Sequence, residues 1–217
     1  MKQKACLVLA GAAALTAVML LPGEARPSFQ EGYQHYKNGD YYKAEEVLLR
    51  EKELAPNNLD IYAVLGWCYI NTGRFREAVG IGNEGLEVST RDYRLYMILG
   101  RAYIGLKRYT EAISNLERSI ALNPESAYTY YYLGQGYLSM GRYRLAEAAF
   151  SAGIMLDKNR YTFYRYRGEV YERLSDFKAA EEDYKKALTL RPNDPRLKEN
   201  LIRAISKQTE QSAGTFD

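Results

Sequence analysis

The sequence predicts an all-α protein: a solenoid of five helical hairpins closed by one further helix, and three observations predict it. Sliding the chain against itself by 34 residues brings Gly32, Gly66, Gly100, Gly134 and Gly168 into one column. The same shift aligns an aromatic column (Tyr41, Phe75, Tyr109, Tyr143, Phe177) and an alanine column (Ala44, Ala78, Ala112, Ala146, Ala180), with no insertion between units. Within a unit the apolar residues fall three, four and seven places apart on either side of a short break, which is the period of a helix face. A fixed period of this length marks stacked supersecondary units, none of which can bury its apolar side alone.

The first element stands outside the repeat. Residues 1–25 carry Lys2 and Lys4, then an apolar run from Ala5 to Leu21, then small residues at Gly23 and Ala25. This is the pattern of an export signal cleaved after Ala25. The run is also long enough to serve as an uncleaved anchor of marginal spanning length. Cys6 precedes the apolar run, so it is not placed as a lipoprotein cysteine. Both readings set the repeats outside the cytoplasm, in the periplasm or at a membrane facing away from it. Removal of the segment leaves Cys68 as the one thiol, with no internal disulfide to form.

The array follows over residues 26–194, in the register 25–58, 59–92, 93–126, 127–160 and 161–194. The fourth unit serves as the example. Tyr130, Leu133, Gly134 and Tyr137 form one helical face, Gly141-Arg142 interrupts it, and Ala146, Phe150, Gly153 and Ile154 form a second face. Pro56, Pro124 and Pro192 sit where each second helix ends. Glycine in mid-helix costs about 1 kcal/mol relative to alanine, so a column of five implies a partner helix too close for a side chain. After the fifth unit, Asp194 can cap a helix that Pro195 opens, expected over 195–207. Leu197, Leu201, Ile202 and Ile205 would form its apolar stripe, and 208–217 lacks periodicity and is expected to be disordered.

The pattern Tyr62, Leu65-Gly66, Tyr69, Phe75 and Ala78, repeated as Tyr96, Leu99-Gly100, Tyr103, Tyr109 and Ala112 with Pro124, resembles the tetratricopeptide repeat. The resemblance covers residues 25–194. It implies antiparallel helix pairs stacked into a right-handed superhelix, with a concave groove lined by the first helix of each pair. The first unit departs from the pattern at Ser28, Glu31 and His35, as suits a terminal repeat with no upstream neighbour.

The resemblance also implies which column faces the groove: Phe29, Tyr33 and Tyr36, then Ala63, Trp67 and Ile70, then Met97, Arg101 and Ile104. It continues as Tyr131, Gln135 and Leu138, and turns charged at Arg165, Glu169 and Glu172. Stacking between units would bury part of this stripe, whereas a contiguous exposed stripe would mark a partner surface. On the second reading Trp67 and Tyr131 are the anchors, Arg94 and Arg101 supply charge-assisted contacts, and Tyr128 is an extra ring at the rim.

Other signals point away from chemistry. Gly80, Gly82 and Gly85 have the spacing of a dinucleotide fingerprint, but they fall inside a second helix rather than after a strand. His35 is the single histidine and takes the place of a packing tyrosine, and Cys68 occupies a column of small residues. No nucleophile is set beside a base, so no enzymatic activity, cofactor or metal is expected. Thirty Lys and Arg against 27 Asp and Glu, spread without blocks, argue against nucleic acid. The groove places that hold a carboxylate clamp in some members of the family carry Phe29, Tyr33, Ala63 and Trp67 here, so that clamp is absent. The expected function is therefore an exported, non-catalytic adaptor that captures a peptide or helix of a cell-envelope protein. The alternatives are self-assembly through the same stripe and small-ligand binding among the rings.

Overall fold

The computed structural model describes residues 28–213. The expected export signal and the last residues of the tail lie outside that range. Eleven helices follow one another among the described residues: α1 (Phe29–Lys37), α2 (Tyr41–Leu54), α3 (Leu59–Asn71), α4 (Phe75–Val88), α5 (Tyr93–Gly105), α6 (Tyr109–Leu122), α7 (Ala127–Ser139), α8 (Tyr143–Leu156), α9 (Tyr161–Arg173), α10 (Phe177–Leu190) and α11 (Pro195–Ala213). Each packs on the next, forming hairpins α1–α2 to α9–α10 with α11 laid on α10. The first helices also touch in series, α1 to α3, α3 to α5, α5 to α7 and α7 to α9, and so make one continuous wall. The protein is an all-α solenoid.

One turn is repeated between the two helices of every hairpin. The amide five residues on closes back to the helix, as in Asp40 N to His35 O, Arg74 N to Tyr69 O and Arg108 N to Tyr103 O, each between 2.8 and 2.9 Å. This closure needs a residue with positive φ at the helix end. Gly39, Gly73 and Gly141 supply it, and Lys107 (φ 61°) and Ser175 (φ 59°) adopt it in the same column despite their side chains.

The mid-helix glycine column is explained by proximity. A Cβ on Gly32 would lie 2.5 Å from Leu48 and on Gly134 2.6 Å from Phe150, and on Gly100 it would meet Leu116 just as closely. In each case a large residue of the second helix sits flat on the first. The second unit solves the same problem differently. Gly82 stands where the other units place Leu48, Leu116, Phe150 and Tyr184. The vacant space over Gly66 is filled by Ile98 from the following unit, 2.7 Å from where a Cβ would be.

The core is accordingly a string of clusters between units rather than one centre. Leu48, Ile61, Leu65, Leu95 and Ile98 join the first three units. Leu116 and Leu133 join the third to the fourth, Phe150 and Phe163 the fourth to the fifth, and Tyr184 and Leu197 the fifth to α11. Burying each such side chain contributes about 1.5–3 kcal/mol. The fifth unit replaces a leucine of this core with charge. Arg167 stands in the column of Leu65, Leu99 and Leu133, and its guanidinium meets both carboxylate oxygens of Asp183 at 2.8 Å and donates to Ser151 Oγ at 2.9 Å. Asp183 is 5% exposed.

The C-terminal helix differs from the expectation in two ways. It runs beyond residue 207 to Ala213, so the stretch 208–213 is helical rather than disordered. Lys207 pairs with Glu210, and the Thr209 and Ser212 hydroxyls donate to carbonyls four residues back, bonds that a helix satisfies locally. Its buried line is Leu197 and Ala204, while Ile202 and Ile205 face outward, Ile202 at 65% exposure. Ile202 falls in the glycine column, on the side a second helix would cover in a full hairpin. Asp194 accepts amide bonds from Arg196 and Leu197 at the start of the helix.

Candidate functional site

The wall formed by α1, α3, α5, α7 and α9 carries most of the rings. On α1, Phe29, Tyr33 and Tyr36 rise one turn apart and stack face to face, with centroids 5.8 and 6.1 Å apart. On α3, Trp67 reaches across the wall to Tyr132 of α7, two units away, with ring centroids 5.8 Å apart. That contact divides the wall into neighbouring clefts. One, of about 410 Å³, is lined by Tyr36, Trp67, Asn71, Met97, Tyr128 and Tyr132. The next, of about 420 Å³, shares Trp67, Asn71 and Tyr132 and adds Ile70, Arg101, Tyr131, Gln135 and Tyr166. A third, of about 520 Å³, continues past Arg101 and Gln135 to Glu169 and Arg173. The first is mainly aromatic, and the last is polar.

The expected groove residues divide by burial. Phe29, Tyr33, Tyr36 and Trp67 are half-buried, and Tyr128 is exposed, its ring lying under the Arg160 guanidinium at 4.3 Å. Arg101 lies over Phe75 and Tyr132, 5.5 and 5.9 Å from their centroids, which holds its guanidinium in the groove. Gln135 lines two of the clefts and donates to the Tyr131 hydroxyl at 3.0 Å.

Four of the expected groove residues are engaged within the protein itself. Tyr131 is wedged between units, with the rings of Tyr132, Phe150, Phe163 and Tyr166 around it at 5.2–6.4 Å, and it presents the rest of its half-buried surface to the second cleft. Ile70 and Met97, at 7% and 8% exposure, are mostly taken up by packing between units, and each gives only a small part of its surface to a cleft, Met97 to the first and Ile70 to the second. Arg94 is already paired, at 2.6 Å to Asp60 of the preceding unit and 2.6 Å to Asp92, and so ties α3 to α5.

The ring that meets Trp67 across the groove is not Tyr131 but its neighbour Tyr132. Its signal in the sequence is a ring in a column that holds Val64 and Ile98 in the preceding units, continued by Tyr166 in the next. Burial pushes the Tyr132 phenol up to about 12, and burial also raises those of Tyr36 and Tyr131. All three are therefore neutral hydroxyls near neutral pH. In the glycine-rich stretch of α4, Gly82 and Gly85 face Leu99 and Leu95, which a Cβ would approach to 2.9 Å, so close packing accounts for both. Cys68 is fully buried and its thiol is pushed up to about 12, chiefly by burial, so it is inert as a nucleophile.

Comparison with known proteins agrees with this geometry. A tetratricopeptide repeat model matches residues 131–195, and a TPR repeat model matches residues 100–141. Among solved structures, MamA is 30% identical, with 73% of this chain and 93% of that chain covered and a TM-score of 0.63. A thermophilic TPR protein from Thermus thermophilus is 23% identical over 82% of this chain and 96% of that one, with a TM-score of 0.70. YrrB, a TPR protein with an unusual peptide-binding site, is 18% identical over 84% and 92%, with a TM-score of 0.62. No curated protein matches the chain in sequence. With the period of 34 residues, the hairpin stack and the glycine column now seen in three dimensions, the chain belongs to the tetratricopeptide-repeat family.

Proposed function

We propose that the protein is a non-catalytic interaction scaffold that holds a segment of a partner protein in the groove along α1, α3, α5 and α7. The observation that carries this reading is the cleft between Tyr36, Trp67, Tyr128 and Tyr132, a mainly aromatic recess of about 410 Å³ on the wall of first helices. Trp and Tyr in such recesses dominate interface energies, and a stiff stack of helices loses little entropy when a chain settles on it. YrrB, similar to this chain in fold, is a TPR protein with an unusual peptide-binding site, which is consistent with this reading. The basic start and apolar run of residues 1–25 favour an exported protein, and hence a partner of the cell envelope.

The test is replacement of Trp67 and Tyr128 together by alanine, with capture of envelope proteins on the immobilised chain as the readout. Capture should fall at least tenfold while the far-UV circular dichroism spectrum is kept; undiminished capture would reject the groove. N-terminal sequencing of the protein from its native cell separates a cleaved signal, which leaves a chain starting at Arg26, from a retained anchor, which leaves residues 1–25 in place, and protease accessibility in intact against opened cells tests export itself.

Self-assembly is a second reading, favoured by Ile202 and Ile205 on the outer side of α11. Sedimentation of the Ile202→Ser, Ile205→Ser variant tests it: loss of a concentration-dependent larger species supports the reading, and a monomer in both proteins ends it.

A further inference from the structure

The cations on and beside the groove wall fall into two sets, those paired within the protein and those left open. Arg94, Arg160, Arg167 and Arg203 each meet a carboxylate of the protein. Lys37, Arg101, Arg165 and Arg173 form no ion pair among the described residues, although all four are carried by the helices of the groove wall. Three of them lie on rings: Lys37 at 5.1 Å from the Tyr33 centroid, Arg101 over Phe75 and Tyr132, and Arg165 at 3.9 Å from Tyr166. A ring beneath a guanidinium fixes its plane and leaves its N–H edge open to a carboxylate. Arg101 and Arg173 line the same cleft, with Glu169 as the one acidic side chain there.

The placement of these cations is regular. Lys37 belongs to the first unit, Arg101 to the third, and Arg165 with Arg173 to the fifth. Adjacent first helices are in contact, so two steps along the wall measure roughly 16–20 Å at helix packing distances of 8–10 Å. An extended chain covers that in about five or six residues. One terminal carboxylate cannot serve cations so far apart.

On the scaffold reading above, we propose that the groove's occupant is an acidic, extended internal segment of a partner protein. One aromatic or large aliphatic side chain fills the cleft at Trp67 and Tyr132, and carboxylates about five or six residues apart meet Lys37, Arg101 and the pair Arg165 and Arg173. The segment is held by a central apolar anchor and by charge on both sides of it, so its binding is salt-sensitive.

The experiment selects from a library of random sixteen-residue segments displayed between two carrier domains, which gives no free C-terminus, on the full chain as bait. The expected enrichment is of Asp and Glu flanking a Trp, Phe or Leu. A selected segment, synthesised with blocked ends, should bind at least tenfold more weakly to the Arg101→Gln, Arg165→Gln variant and lose affinity as salt rises. Enrichment of apolar residues without carboxylates, or of basic residues, overturns the acidic assignment while leaving the groove in place. Failure to enrich any segment, or recovery of the same segments on the Trp67→Ala variant, overturns the groove itself.

Discussion

Alanine at Gly153 and alanine at Gly80 are the same substitution in mid-helix, and the structure gives them opposite signs. Both gain about 1 kcal/mol from helix propensity. At Gly80 nothing lies within 4 Å of the new Cβ, so the gain stands alone. At Gly153 the Cβ would lie 2.6 Å from one Phe163 ring carbon and closer still to another, where carbons normally keep about 3.5–4.0 Å. Phe163 cannot retreat cheaply, since it is fully buried and its ring meets Tyr131 edge-on at 5.9 Å. Overpacking of this kind costs about 1–3 kcal/mol or more. The net expectation is a loss of about 1–2 kcal/mol at Gly153 and a gain of about 0.5–1 kcal/mol at Gly80. Urea unfolding followed by far-UV circular dichroism measures both. The Gly153→Ala variant should also shift the near-UV signal of the tyrosine cluster, because Phe163 moves against Tyr131. Equal or greater stability of Gly153→Ala would refute the claim that the fourth and fifth units are locked at that contact.

Two further outcomes follow from the buried polar groups. Asp183→Ala leaves Arg167 unpaired in a site where the guanidinium side chain is 20% exposed and should cost about 3 kcal/mol. The double change Arg167→Leu, Asp183→Ala restores the leucine and alanine that the fourth unit holds at Leu133 and Ala149, and its urea midpoint should return to near that of the parent. In alkaline solution, the phenols of Tyr69 and Tyr132 are pushed up from 10.0 to about 12 and the Cys68 thiol from 9.0 to about 12, burial being the largest cause in each. Folded values above unfolded ones mean stability fully present below pH 9 to 10 and lost as pH climbs towards 12. The melting temperature should fall through that window, with Cys68 refusing thiol reagents until the chain unfolds; early labelling of Cys68 would contradict its burial.

The architecture is legible because it is written five times. A period of 34 residues fixes every hairpin, and the glycine column alone announces that paired helices touch without side chains between them. The C-terminal helix is harder to bound: nothing in QTEQSAGTFD shows periodicity, yet Lys207–Glu210 and the Thr209 and Ser212 hydroxyls suit a helix surface. The groove is only half legible. Position in the repeat says which side of a helix faces the concave wall, but the curvature of the wall decides which of two adjacent rings is used there. Tyr131 and Tyr132 are neighbours in sequence and both line the second cleft, but Phe163 and Tyr166 pack edge-on against the first whereas Trp67 meets the second. Of the two carboxylates that occupy Arg94, Asp92 lies two residues away and doubles as the cap of α5, whereas Asp60 lies one full unit away and is not visible as a partner in the sequence.

Stability and binding are therefore organised differently in this molecule. Each unit is stabilised by its immediate neighbours, so the energy of the stack is close to a sum of adjacent contacts. The cleft is not such a sum. Trp67 comes from the second unit and Tyr132 from the fourth, and they meet only because the third unit holds α3 and α7 at the correct separation. Arg101 of that third unit lies against Tyr132 and against Phe75 of the second, so the same residue that links the rings also places the free charge beside them. The shape of the groove thus depends on the pitch of three consecutive units, and a change that loosened one interface would alter the cleft before it unfolded the chain.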